Sequence, residues 1–118
     1  MKIQQSSYMN NTVNKPWGRE ELIVHTKKYV MKKLFIKQRT QLSKLFHMKK
    51  NKTIYITKGH VILNLSQEPG ESNILKLTEG ESWTLIPKTI YRLETSVDQS
   101  VELFEVSTPE LDDAVFVN

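Results

Sequence analysis

The sequence of 118 residues contains no cysteine, which excludes a disulfide framework and zinc sites built on thiolates. It also contains no run of 18 apolar residues, so it predicts no membrane-spanning helix. The first 15 residues lack the apolar core of a signal peptide, and together these features lead us to expect a cytoplasmic protein. The length allows one domain with a hydrophobic core.

Acidic residues are scarce in the first half of the chain. Residues 1–66 carry 14 Lys and Arg but only two acids, a net charge of +12, whereas residues 67–118 carry three against 11 acids, a net charge of −8. Such asymmetry can mark a nucleic-acid surface. The basic residues are scattered rather than interleaved with aromatic residues. We therefore expect the two halves to pair across strands of one fold, with a nucleic-acid-binding barrel as an alternative.

Short segments rich in β-branched and aromatic residues recur along the chain, separated by turn signals such as "EPGES" and "TEGES". No segment has a long apolar stripe of helical period. This pattern predicts an all-β sandwich or barrel over residues 15–118, after a flexible arm of residues 1–14, with a short helical turn and an extended piece in the tail. The predicted strand segments are ELIVH, KYVMKKLFIKQ, TQLSKLFH, KTIYITKG, HVILNLS, SNILKLTEG, ESWTLIP, IYRLETS and SVELFEVS.

Alternation along "YVMKKLFIK" places a lysine on an apolar face. Successive side chains of a strand point to opposite faces, so Lys32 shares a face with Leu34 and Ile36. Lys32 then points into the core region. The alternative is that the opposite face, which begins with Tyr29 and Met31, forms the core and leaves Lys32 in water.

Several phrases occur in an order typical of one family. They are "KPWGREEL", "LSKLFHMKKNKTIYITKG", "GESWTLIP", "YRLE", "VELFEV" and "DDAVFV". Together they resemble the cupin isomerase domain of type II mannose-6-phosphate isomerases, which occurs alone or fused behind a mannose-1-phosphate guanylyltransferase. The resemblance covers about residues 15–118. It implies a cupin double-stranded β-helix, which is a jelly-roll barrel, a role in sugar-nucleotide or polysaccharide biosynthesis, and a homodimer that pairs through sheet edges.

The metal ligands of this family are largely replaced. By resemblance, the His, His and Glu of the first cupin motif fall on His47, Lys49 and Lys52, and the His of the second motif falls on Tyr91. One ligand of four is kept. A lysine ligates a metal only after losing its proton, near pKa 10.4 when unperturbed. We therefore expect no metal cofactor and no metal-dependent isomerase activity.

The same positions suggest a site for an anion instead. Lys32, which aligns with a strand lysine of the family, and Arg92 are expected nearby. Arg39, where the family has a glycine, is a separate departure from the family pattern. If the lysines point inward, a sugar phosphate or nucleotide sugar is the expected ligand, and His47 is a candidate general base or a simple hydrogen-bonding group. The alternative is that "MKKNK" is an exposed turn whose lysines face water. The predicted ligand-binding residues are Lys32, Lys49, Lys52, Tyr91 and Arg92.

Other functions stay open at this stage. The chain could isomerise weakly through His47 and the lysines without a metal. It could be a true metal-dependent isomerase whose metal ligands are other residues of the chain, or a scaffold that only dimerises. Metal content separates the isomerase from the metal-free protein, and function does not follow from the fold when site residues have changed.

Overall fold

A computed structural model describes residues 11–68, 70–110 and 112–117. Within these ranges the chain forms eleven β-strands and no helix. No helix long and apolar enough to cross a membrane occurs in the described part of the chain. The strands are β1 (Thr12–Lys15), β2 (Gly18–His25), β3 (Val30–Ile36), β4 (Leu45–His47), β5 (Lys52–Lys58), β6 (His60–Ser66), β7 (Asn73–Thr78), β8 (Ser82–Leu85), β9 (Ile90–Glu94), β10 (Val101–Ser107) and β11 (Ala114–Phe116).

The strands form two antiparallel sheets that face each other. One sheet has the order β1-β2-β3-β10-β5-β8, and the other has the order β11-β4-β9-β6-β7. From β3 onward the chain passes from one sheet to the other at every connection except the β6–β7 hairpin. This is the jelly-roll arrangement that the strand pattern and the resemblance predicted.

The core lies between the two sheets and follows the period-two alternation of the strands. Leu34, Ile54 and Leu103 point inward from the six-stranded sheet, and Leu63 and Leu93 meet them from the other sheet; all five are nearly inaccessible to solvent. Full burial of such a side chain contributes about 1.5–3 kcal/mol. Since Leu34 is in this core, the inner face of β3 is the face that carries Lys32, as the alternation predicted.

Gly59 makes the corner between β5 in one sheet and β6 in the other. Its φ is 79°, in the left-handed region that disfavours side chains. A Cβ placed there would lie 2.3 Å from the carbonyl oxygen of Ser100. The glycine therefore permits both the turn and a close approach of the chain just before β10.

Most predicted strands are found, and the differences are local. The segment HVILNLS coincides with β6, while only Leu45–His47 of TQLSKLFH forms a strand. Of the predicted arm, residues 1–10 lie outside the described residues, and Thr12–Lys15 forms β1, paired with β2. The helical turn expected in the tail is not found in its described residues, where Ala114–Phe116 pairs with β4.

Candidate functional site

A row of alternating charges crosses the inner face of the six-stranded sheet. Glu20 on β2, Lys32 on β3, Glu105 on β10 and Lys52 on β5 take successive places in it. Lys32 is the direct cross-strand partner of Glu105. Glu20 and Lys52 each lie two residues from direct register with the next member of the row. The order of charges is therefore negative, positive, negative, positive across four adjacent strands.

The four residues of this row form two ion pairs. Lys32 Nζ lies 3.1 Å from Glu20 Oε1, and Lys52 Nζ lies 3.1 Å from Glu105 Oε2. The second pair is the better shielded, since both of its side chains are only 12% exposed. A buried charge is tolerated only when it is paired and hydrogen-bonded. Each lysine is therefore matched by a carboxylate of a neighbouring strand.

The opposite sheet supplies two further polar groups to the same region. Tyr91 on β9 and His47 on β4 are both buried. Lys52 Nζ lies 3.3 Å from the Tyr91 hydroxyl and can donate to it, and that hydroxyl lies 3.1 Å from His47 Nε2. The Lys52 ammonium also lies 5.9 Å from the centre of the Tyr91 ring. A continuous polar chain thus runs from Glu105 through Lys52 and Tyr91 to His47.

The protonation states follow from these surroundings. Burial, reinforced by the positive charges of Lys52 and Lys50, lowers the pKa of His47 from 6.5 to about 4, so its imidazole is neutral at pH 7. Burial raises the pKa of Tyr91. Burial alone would lower the pKa of Lys52, but the Glu105 carboxylate and the Tyr91 hydroxyl outweigh it, so the net pKa is raised. Lys52 is therefore a fixed ammonium, and the neutral His47 can accept the Tyr91 hydrogen at Nε2.

A cavity of about 650 Å³ opens above this polar chain. Its inner wall carries the charged row and Tyr91. Its outer part is lined by the β1–β2 turn, by residues 39–43 after β3, and by Phe116 of β11. The residues lining it are Lys15, Pro16, Trp17, Glu20, Lys32, Leu34, Arg39, Thr40, Gln41, Leu42, Ser43, Leu45, Lys52, Tyr91, Leu93, Glu105 and Phe116.

Three of the six predicted site residues line the cavity, and a fourth is hydrogen-bonded to one of these three. Lys32, Lys52 and Tyr91 line the cavity, while His47 is hydrogen-bonded behind Tyr91 and is not among the lining residues. Lys32 and Lys52 do not present free positive charge as expected, because carboxylates of β2 and β10 neutralise them.

The other two predicted residues are placed elsewhere. Lys49 is exposed in the bend between β4 and β5 and does not line the cavity, so the alternative of a solvated turn describes it. The bend is held because one oxygen of Asp113 accepts the backbone N–H groups of Lys49 and Lys50. Arg92 follows Tyr91 on β9 and so points to the opposite face of its sheet. Neither residue is positioned to bind a ligand in this cavity.

Lys50, which the sequence did not single out, is the lysine of this bend that turns inward. It lines a small enclosed space with Lys32, Lys52 and Glu105. Partial burial and the charges of the two neighbouring lysines lower the pKa of Lys50. Glu20 and Glu105 were missed as well, although alternation along SVELFEVS places Glu105 on the face of Val101 and Leu103 and was available as a signal.

The residues present do not fit the metal of this family. At the four ligand positions stand one imidazole, one phenol, one exposed lysine and one lysine whose raised pKa fixes it as a cation. A divalent ion beside the Lys52 ammonium would meet repulsion instead of a ligand. Among the described residues, no group of three or more His, Cys, Asp or Glu side chains is placed to hold a metal ion.

Comparison with known proteins gives one family and a set of similar folds. The family described as "Mannose-6-phosphate isomerase C-terminal" matches residues 2–115. No functionally curated protein sequence matches the chain. Since the family match covers nearly the whole chain, it shows membership, whereas the similar structures below show the fold alone.

Three solved structures illustrate the fold. The capsular polysaccharide assembling protein CapF from Staphylococcus aureus aligns over 91% of this chain at 12% identity, with a TM-score of 0.82. This chain spans only 34% of the length of CapF. KdgF from Halomonas sp. aligns at 14% identity over 92% of this chain and 97% of its own, with a TM-score of 0.74.

The third structure is the polyketide cyclase RemF from Streptomyces resistomycificus, with 14% identity, coverage of 98% of this chain and 87% of RemF, and a TM-score of 0.77. Likenesses of this extent agree with the cupin jelly roll expected from the sequence. The chain is a cupin and belongs to the mannose-6-phosphate isomerase C-terminal family.

Proposed function

We propose that this chain is a metal-free cupin of sugar-nucleotide or polysaccharide biosynthesis that binds a sugar phosphate, or a related nucleotide sugar, in its barrel. The observation that carries the proposal is the position of Lys52. By the resemblance, Lys52 stands where the family has a carboxylate ligand, and its ammonium contacts Glu105 and Tyr91. A lysine there, balanced by Glu105, leaves no carboxylate ligand for a metal and offers none of a metal's open coordination positions.

The loss of metal-dependent isomerisation follows from the chemistry of that reaction. Aldose–ketose isomerisation moves a proton between C1 and C2 and develops negative charge on an enediolate. In the family a metal is expected to act as the electrophile that stabilises this charge. Removing such a stabiliser typically costs several kcal/mol of barrier. The Lys52 ammonium is already engaged with a carboxylate and a phenol, so it is a poor substitute.

Ligand binding is supported by the cavity itself. A volume of about 650 Å³ lies within the range of about 300–1,000 Å³ that small-molecule sites occupy. Its lining offers carboxylate and amide groups of Glu20 and Gln41 for hydroxyl groups, the Trp17 ring for the face of a sugar, and cations for a phosphate. The family description and the identity of CapF as a capsular polysaccharide assembling protein support the same area of metabolism.

The test is a titration of the metal-free protein by calorimetry and by heteronuclear NMR. The probes are mannose 6-phosphate, mannose and GDP-mannose, with inorganic phosphate as a control. We expect saturable binding of at least one phosphorylated probe, with shifts for residues that line the cavity. The absence of any shift with all the phosphorylated probes would overturn the proposed ligand class.

A second candidate function is weak, metal-independent isomerisation. It is favoured by the neutral His47, whose Nε2 contacts the hydroxyl of Tyr91, a residue that lines the cavity. Tyr91 would pass a proton between the substrate and His47, since His47 itself does not line the cavity. Conversion of mannose 6-phosphate to fructose 6-phosphate in the presence of a chelator, abolished in Tyr91→Phe, would support it. A rate equal to the protein-free rate would exclude it.

We further propose a cytoplasmic homodimer. The outer strands β1 and β8 of one sheet and β11 and β7 of the other have unpaired edges in the described chain, and such edges need covering. Light scattering coupled to size-exclusion chromatography measures the mass in solution. A mass of one chain at micromolar concentration would contradict the dimer.

A further inference from the structure

The backbone of Arg39 is held in a conformation that arginine rarely adopts. Its φ is 59°, in the left-handed region, where a side chain is sterically disfavoured and glycine is the usual residue. Lys88, with φ 68°, is the other described non-glycine residue with positive φ. Strained residues of this kind persist where the surrounding structure fixes them, and they cluster at binding sites. Arg39 differs from Lys88 in lining the main cavity.

The loop after β9 fixes Arg39 from two directions. Its backbone N–H donates to the carbonyl oxygen of Ser96 at 2.8 Å, and its side-chain Nε donates to the carbonyl oxygen of Val97 at 3.1 Å. Because Arg39 is exposed and also lines the cavity, these contacts hold its side chain at the mouth of the cavity. Its two terminal nitrogens have no hydrogen-bond partner among the described residues, and no carboxylate of the described chain pairs with it.

The charges that line the cavity are unequal in number. Lys15, Lys32, Arg39 and Lys52 face two carboxylates. Both carboxylates are paired with the inner lysines, so within the described chain the cations without a carboxylate are Lys15 and Arg39. Lys15 lies at the end of β1, beside the same mouth. Free positive charge is therefore at the entrance of the cavity and not at its base.

We propose that Arg39, assisted by Lys15, forms an anion subsite that binds the phosphate group of the ligand at the mouth of the cavity. The uncharged sugar then extends inward toward Trp17 and the charged row. This inference rests on the proposed function and gives the ligand an orientation. A guanidinium offers paired donors that match phosphate oxygens. Both a sugar phosphomonoester and the diphosphate of a nucleotide sugar present this chemistry.

The experiment compares Arg39→Gly with Lys88→Gly. Both substitutions remove one positive charge and relieve a left-handed backbone, so they are matched in charge and strain. We expect Arg39→Gly to weaken binding of mannose 6-phosphate or GDP-mannose by about tenfold or more, the loss of a charged hydrogen bond, and to leave the affinity for mannose unchanged. Lys88→Gly should leave all affinities unchanged. The melting temperature of both variants should equal or exceed that of the wild type.

Arg39→Asn provides a second variant, because asparagine tolerates the left-handed region but carries no charge. Arg39→Asn should lower the affinity for the same phosphorylated ligand, and Lys15→Met should lower it to a smaller extent. Whichever of the two phosphorylated probes binds more tightly identifies the phosphate source. Wild-type binding that is unchanged in both Arg39 variants would overturn the subsite but leave the proposed function standing. A wild type that binds neither phosphorylated probe would overturn both.

Discussion

The ammonium group of Lys52 lies 3.1 Å from a carboxylate oxygen of Glu105, its neighbour across the β5–β10 pairing. On its other side the Tyr91 hydroxyl lies at 3.3 Å. At the position of Lys52 the resemblance to the isomerase family places a metal-binding glutamate. The sign of the charge at this position is therefore reversed, and a carboxylate from the next strand balances it.

Breaking this pair should destabilise the fold strongly. Lys52→Met removes the ion-pair partner of the buried Glu105 carboxylate, and we expect the free energy of unfolding to fall by about 3–5 kcal/mol in urea denaturation. The double variant Lys52→Met/Glu105→Gln should recover part of that loss, because no charge is then left unpaired.

The control for this pair is Lys33→Met. Lys33 on β3 pairs with Glu102 on β10, on the outer face of the same sheet, at 3.3 Å and with the lysine 33% exposed. Such pairs contribute about 1 kcal/mol or less. Equal losses in Lys52→Met and Lys33→Met would show that the inner pair has no special shielding.

The Tyr91 hydroxyl joins the two sheets electrostatically. Tyr91→Phe removes the described partner of His47 and one acceptor of Lys52. We expect the free energy of unfolding, measured by urea denaturation at pH 7, to fall by about 1–3 kcal/mol. This is the cost of leaving a buried polar group without a hydrogen bond. Tyr55→Phe is the control, since Tyr55 is 45% exposed on the outer face of β5 and should change stability by less than about 0.5 kcal/mol.

His47 should make stability depend on pH in the mildly acidic range. The pKa of His47 is about 4 in the folded chain and 6.5 in the unfolded chain. Between these pH values the unfolded chain binds a proton at His47 and the folded chain does not. The contribution of neutral His47 to the free energy of unfolding is therefore complete above pH 6.5 and is lost as the pH falls toward 4. We expect the free energy of unfolding of the wild type to fall more steeply than that of His47→Gln between pH 6.5 and 5. Parallel curves for the two proteins would contradict the lowered pKa.

Substitution of two glycines with similar backbone conformation distinguishes a steric clash from the cost of a left-handed backbone. Gly59 and Gly80 have φ values of 79° and 84°, but a Cβ at Gly59 would meet the Ser100 carbonyl oxygen, while a Cβ at Gly80 has nothing within 4 Å. We expect Gly80→Ala to cost about 1 kcal/mol for the left-handed backbone alone and Gly59→Ala to cost more than about 3 kcal/mol. Similar losses in thermal denaturation would refute the close approach at this corner.

The sequence predicted the fold class because jelly-roll strands are short, alternate in polarity and end at turn residues. Alternation also placed Lys32 on the inner face of β3. By the same rule, the adjacent residues Tyr91 and Arg92 point to opposite faces of β9 and cannot both line one site. The site predicted from the sequence nevertheless included both residues. Local periodicity was thus sufficient to correct that part of the prediction.

The composition of the charged row could not be read from local sequence. The pairing of Glu105 with Lys52 depends on register between β10 and β5, which are distant in the chain, and the pairing of Glu20 with Lys32 depends on the register of β2 with β3. Which lysine of "HMKKNK" turns inward depends on the bend that Asp113 holds, 63 residues after Lys50. These contacts turn an expected basic cavity into one whose inner charges are balanced and whose free cations stand at the mouth.

The most direct test of the proposed metal-free site is the metal content of the purified protein, measured by inductively coupled plasma mass spectrometry after expression without chelators. We predict less than about 0.1 equivalent of manganese, zinc, iron, cobalt or nickel per chain, and no rise in melting temperature when these ions are added. One equivalent of a divalent metal that survives dialysis and is lost in His47→Gln would contradict the assignment of Lys52 to the place of the metal.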